Sequence, residues 1–251
     1  DAPYTAEPEG LAARLDSEVF PSPFDYAQQA LLALPRDFPV PDDPRFEAWV
    51  QRAVIRAIQT SRGGVFVLCT SHQLVGRLHD AAQAEFGDRY VLLRQGQMGR
   101  NRLLQRFREE GNAILFGTDS FWEGVSVSGE ALRMVLIPRL PFRVPTEPVQ
   151  LARYERLEEQ GLDPFRNYAL PQAVLRLRQG VGRLIRTQRD QGCVLLLDRR
   201  AMERWYGRVF LGSLPPMQRL VGPMRSVLQR LETFYDPTSE TSASTSPNST
   251  S

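Results

Sequence analysis

The chain has 251 residues, 42% of them hydrophobic, with 31 basic and 29 acidic side chains and a formal net charge of +2. That is enough apolar material for one large domain or two small ones, and too little net charge to argue nucleic-acid binding by itself. Every basic residue is arginine, so no Gly-x-x-x-x-Gly-Lys-Ser/Thr loop can form, and a self-sufficient P-loop ATPase is excluded.

Residues 1–21 are acidic and show no period; they read as a linker or the remnant of a preceding domain. Residues 22–235 read as one domain. It opens with Ser22-Pro23-Phe24 and an apolar run around Leu31, Leu32 and Leu34. Pro35, Pro39, Pro41 and Pro44 then impose an extended crossing. Phe46, Trp49, Val50, Val54 and Ile58 fall on one helical face, predicting a helix over 46–60.

After Gly63-Gly64 an α/β alternation begins. A continuous apolar run predicts a strand at 65–69, buried on both faces. Thr70-Ser71 offers an N-cap for a helix carrying Leu74, Val75, Leu78, Ala82 and Phe86. Further strands are predicted at 90–93, 113–116, 132–137 and 193–197, with helices near 101–110 and 149–160. Alternation of this kind implies a parallel sheet with functional loops at the carboxyl ends of its strands. Residues 200–234 read as helical, interrupted at Pro215-Pro216, and the Ser/Thr-rich tail, 236–251, as disordered.

Cys69 and Cys193 sit inside apolar runs and read as buried, reduced core residues. With only His72 and His79 beside them, they do not make a zinc or iron–sulfur framework, so no metal site is expected. No apolar run is long enough to span a membrane and no signal peptide is read. The start at Asp1 without Met suggests a processed chain or an excised fragment, and a cytoplasmic location is the default.

The most informative stretch is 171–187. Read as a helix, it places Gln179, Arg183 and Arg186 on one face at i, i+4, i+7. Val174, Leu177, Val181, Leu184 and Ile185 take the other face, and Gly180 and Gly182 leave bare backbone beside the arginines. Two guanidinium groups and an amide converging on one point suit a polyphosphate; an amphipathic helix with a solvated arginine face produces the same spacing.

In the loop 117–124, Ser120 and Glu123 form an S-x-x-E capping box. Phe121 and Trp122 would either stack on bases or anchor the short helix. Thr70 and Ser71, Gln95, and Thr118 with Ser120 end three successive strands, so these small polar groups should line one edge of the sheet. Such a row suits a nucleic-acid backbone read without sequence preference, and ordinary capping accounts for any one of the positions.

These segments resemble the second motor domain of a superfamily 2 DNA helicase of the DinG/XPD type. Residues 179–186, Gln-Gly-Val-Gly-Arg-Leu-Ile-Arg, match its motif VI; 120–125, Ser-Phe-Trp-Glu-Gly-Val, its motif V; and 67–71, Val-Leu-Cys-Thr-Ser, its motif IV. Ser22-Pro23-Phe24, Leu140-Pro141-Phe142 and Tyr206-Gly207 support the match over roughly 20–216. The resemblance implies a RecA-like α/β domain, a parallel sheet flanked by helices with extra carboxyl-terminal helices, from an ATP-dependent 5′→3′ DNA helicase. It implies that Arg183 and Arg186 reach the γ-phosphate of ATP held with Mg mainly by a first motor domain, that Gln179 faces that nucleotide, and that Glu123 links the ATP cleft to the DNA. Thr70, Ser71, Gln95, Thr118 and Ser120 would lie along single-stranded DNA. The family's usual Asp after motif V is Ser126 here, and its Walker motifs and iron–sulfur cluster are absent from this sequence. Two other readings stay open: a stand-alone single-stranded DNA-binding module, and the motor part of a helicase–nuclease.

Overall fold

Strand formation follows the short apolar runs. The computed structural model describes residues 22–118, 121, 131–143, 145 and 147–236. Its strands are β1 (Ala30–Pro35), β2 (Val65–Leu68), β3 (Leu92–Arg94), β4 (Ile114–Gly117), β5 (Met134–Ile137), β6 (Gly192–Leu196) and β7 (Gln218–Gly222). They make one sheet in the order β3-β4-β2-β5-β6-β1-β7, with parallel pairing throughout. The five inner strands are buried along their whole length, while β3 and β7 carry the partly exposed residues expected of edges.

The alternation of side chains along each strand builds two layers. On one face, Leu32, Phe66, Leu115, Val135 and Val194 pack together. Alternate residues, among them Leu31, Val65, Phe116, Leu136 and Leu195, pack on the other.

The short α1 (Tyr26–Gln29) leads into β1; α2 (Phe46–Ser61) and α3 (His72–Phe86) cover the second face through Val50, Val54, Leu74 and Leu78. The first face takes α4 (Arg100–Glu110) through Leu103 and Phe107. The exposed α5 (Pro148–Glu159) and a π-helical turn (Phe165–Ala169) precede α6 (Leu170–Val181), which buries Ala173, Leu177 and Val181 on that same face. Next come α7 (Arg200–Glu203) and α8 (Gly207–Ser213), and α9 (Met224–Tyr235) returns to the second face through Val227 and Leu231.

Three expectations are corrected. The apolar run at Leu31–Leu34, left without an element, is β1, an inner strand between β6 and the edge strand β7; a short apolar run does not by itself tell strand from helix. The region 200–234 is not wholly helical: after Pro215-Pro216 the chain forms β7, and the pairing that creates it comes from β1, far away in sequence. The helix expected over 171–187 ends at Val181. The linker reading of 1–21 and nearly all of the tail lie outside the described residues.

Cys69 and Cys193 are both fully buried, and burial pushes both thiols well above their ordinary range. Neither is a thiolate near neutral pH, and the thiolate is the reactive form. Iodoacetamide at pH 8 should therefore alkylate both cysteines rapidly in denaturant and neither at a comparable rate in the native protein. Mass spectrometry of timed samples reads the difference.

Candidate arginine turn and carboxyl-edge groove

The arginines of 179–186 are presented by a turn. Gly182 caps α6, its N–H donating to the Arg178 carbonyl at 2.8 Å. Leu184 N–H then reaches the Val181 carbonyl at 3.1 Å, tightening the chain. Asp190 closes the turn: its carboxylate accepts from the backbone N–H of Arg186 (2.8 Å) and Thr187 (2.9 Å) and from the Thr187 hydroxyl (2.7 Å). The Gln29 amide donates to the Thr187 and Asp190 carbonyls at 2.8 and 2.9 Å, pinning the turn to the start of β1.

Gly192 lets this turn lie flat. A Cβ there would collide with the Leu184 side chain and approach the Arg133 carbonyl oxygen at 2.8 Å. Leu184 and Ile185 are buried, as their spacing predicted. Gln179 is exposed, Arg186 is partly exposed and Arg183 is buried to 8% exposure. The three thus do not share one helical face; Arg183 and Arg186 project from the turn beyond the helix that carries Gln179.

The polar row lies at the opposite, carboxyl edge of the sheet. Ser71 caps α3, its hydroxyl accepting from Leu74 N–H at 3.3 Å. Gln95 and Thr118 are engaged with each other: the Thr118 N–H and hydroxyl donate to Gln95 Oε1 at 2.6 and 3.0 Å, clasping the ends of β3 and β4. Phe121 is buried, so of its two readings the anchor holds. Ser120, Trp122, Glu123 and Ser126 lie outside the described residues.

A groove of about 570 Å³ opens on this edge, with Thr70 and Ser71 on one wall and Arg139, Arg143 and Arg200 on the others. Its organiser is Asp198, a fully buried carboxylate. Asp198 accepts from the Leu140 backbone N–H at 2.9 Å and from Arg200 Nη2 at 2.7 Å. Burial pulls the Arg200 guanidinium down, and the Asp198 carboxylate more than offsets it, leaving Arg200 above its ordinary value. Arg176, buried on α6, donates to the Pro141 carbonyl at 3.3 Å and fixes the exit from β5. Sequence reasoning passed over Arg139, Arg143, Arg176 and Arg200. The one available cue was a carboxylate two residues before an arginine at the end of a predicted strand.

Among the described residues, no group of three or more His, Cys, Asp or Glu side chains gathers as a metal site, and no helix is long and apolar enough to cross a membrane.

A sequence profile for the helicase C-terminal domain matches residues 54–217. The chain belongs to that family. It is 42% identical over 212 residues to the ATP-dependent DNA helicase YoaA of Escherichia coli K12, covering 84% of this chain and 33% of that protein. It is 36% identical over 200 residues to the 3′-5′ exonuclease DinG of Bacillus subtilis, covering 77% of this chain and 22% of that protein. The chain thus spans about a third or less of these relatives. A solved XPD helicase superposes with a TM-score of 0.56 at 17% identity, covering 77% of this chain and 35% of the other. That likeness is one of fold, and the sheet of this helicase C-terminal domain is RecA-like.

The geometry of the turn makes a structural prediction. Asp190 is buried and accepts three hydrogen bonds from partly exposed donors, so Asp190→Ala removes three braces of the turn, each worth about 1 kcal/mol. Urea denaturation should show a lower midpoint with an unchanged slope. A midpoint equal to the parent's would mean that the turn does not depend on this carboxylate.

Proposed function

We propose that this helicase C-terminal domain is the second motor domain of an ATP-dependent 5′→3′ DNA helicase. In this reading it supplies arginine to ATP held with Mg on a first motor domain, and part of the track for single-stranded DNA. The observation that carries the reading is the braced turn at 182–190. It holds two guanidinium groups on a short, fixed stretch of backbone just past the exposed Gln179. A guanidinium offers five donors in a rigid fork matched to phosphate oxygens, so these residues fit a nucleotide's terminal phosphate. Arg186, the more exposed of the two, is the finger in this proposal, and the buried Arg183 steadies the turn beneath it.

The chemistry follows from the placement. Phosphoryl transfer is catalysed mainly by positioning and by charge aimed at the transferring group. An arginine delivered from a second domain makes hydrolysis depend on closure of the two. DNA held across both domains would then advance as they open and close. The groove lined by Thr70, Ser71, Arg139 and Arg143 supports a backbone track, since hydroxyls and arginines contact phosphate without reading bases.

Two measurements test this. The 251-residue chain alone should release no phosphate from ATP above background, with or without single-stranded DNA. In a two-domain parent, Arg186→Ala should leave melting temperature and DNA affinity nearly unchanged and lower DNA-stimulated ATP turnover by roughly 10³–10⁵, the range for arginine fingers. Arg178→Ala, exposed elsewhere on α6, should behave as wild type. Near-normal turnover in a folded Arg186→Ala protein would refute the assignment.

The track has its own test. The chain should bind single-stranded oligonucleotides with little sequence preference and a steep loss of affinity with salt. Arg143→Glu should weaken binding equally for all sequences. Salt-insensitive binding would count against a backbone track.

A further inference from the structure

The face of the sheet opposite α6 carries a surface to which neither the nucleotide nor the DNA reading assigns a role. Where α2 and α9 lie side by side, Phe38, Trp49, Ala53, Met224 and Leu228 enclose an apolar slot of about 180 Å³. Phe38 and Trp49 form its floor, their rings edge to face at 5.8 Å. The slot opens into a wider, polar groove of about 650 Å³ between the carboxyl-terminal halves of the same helices, and Arg56 and Leu228 line both.

Arg52, Arg56 and Arg225 rim this surface, and all three are exposed. Among the described residues none of them pairs with a carboxylate. Arg52 is stacked 6.0 Å from the Trp49 ring, which steers its charge over the slot. At the far end of the wider groove the balance differs: Arg62 is neutralised by Asp236 at 2.8 Å, and Glu232 lies beside them. Arg52 and Arg56 at the slot and Arg225 in the adjoining groove thus carry positive charge with no carboxylate partner among the described residues.

We propose that the α2–α9 surface is a docking site for a short acidic segment of a partner protein that carries one large apolar side chain. The apolar residue enters the slot and flanking carboxylates meet Arg52, Arg56 and Arg225. Charge complementarity selects this occupant. A second copy of the chain would set arginine against arginine across a two-fold axis. A nucleic-acid strand satisfies the rim, but an apolar slot of about 180 Å³ has room for one side chain rather than for bases stacked in succession. A buried apolar anchor inside a charged rim is the arrangement that concentrates binding energy in protein interfaces. The position is distinct from the helix that leads into the arginine turn: α2 and α9 pack on the face opposite α6.

The test is fluorescence anisotropy with the 251-residue chain and a labelled synthetic peptide of aspartates and glutamates around a single phenylalanine. Saturable binding is expected. Replacing that phenylalanine with alanine in the peptide should weaken it by at least about tenfold, as removal of an interface anchor does. The double variant Arg56→Glu, Arg225→Glu should weaken it by at least about tenfold as well, with melting temperature and oligonucleotide affinity unchanged; Arg52→Glu serves as an independent second variant. The proposal is overturned by absence of saturable peptide binding, by equal affinity for the alanine peptide, or by equal affinity of the charge-reversed proteins. It is also overturned if reversal abolishes oligonucleotide binding and spares the peptide, which would make the face a nucleic-acid surface.

Discussion

A parallel sheet buried on both faces confines chemistry to its ends. The inner strands carry no exposed residue, and a polar side chain placed mid-strand would need a buried partner. Every group of the sheet able to meet a ligand is therefore pushed to where strands begin or stop. β6 shows the consequence most clearly. Just before it stands Asp190, which braces the arginine turn, and just after it stands Asp198, which braces the groove. Two buried carboxylates bracket one strand, each organising a different set of arginines.

Neither carboxylate is costless, because an ionised group taken out of water loses several kcal/mol of hydration. Both recover it from multiple donors: backbone N–H groups and a hydroxyl at Asp190, a backbone N–H and the Arg200 fork at Asp198. Such charge-assisted bonds fix geometry more firmly than packing alone. In the proposed reading, that is what a transferring phosphate would require, since misplacement of a catalytic group by about 1 Å costs rate.

The sequence revealed four of the sheet's five buried strands and the core faces of its helices, because apolar runs and helical spacing are local signals. Val65 to Leu68 and Leu103 with Phe107 needed no tertiary information. β7 did: Gln218–Gly222 is a strand because β1 offers it an edge, and no local pattern announces that. The arginine residues at 183 and 186 were legible as a motif, but their presentation was not. Helical periodicity placed them on one face, whereas the Asp190 carboxylate and the Gln29 amide, the latter more than 150 residues away from the turn in sequence, fold that segment into a loop. Arg139, Arg143 and Arg200 were hidden by composition: in a chain whose only cation is arginine, no single arginine stands out.

The bracketing of β6 bears on how the two sites would act together. From Gly192 to Leu196 the chain is an extended strand, at roughly 3.3 Å per residue, buried along its whole length. The arginine turn and the groove are thus opposite ends of one stiff element, tied laterally by ladders to β1 and β5. A close-packed interior does not bend by degrees under small loads. A displacement imposed at one end would be carried to the other as motion of the domain as a whole, not dissipated in rearranged side chains. In the proposed reading, the domain would couple a contact at a nucleotide to a shift along a strand without any internal switch, and the switching would be left to an interface with a first motor domain.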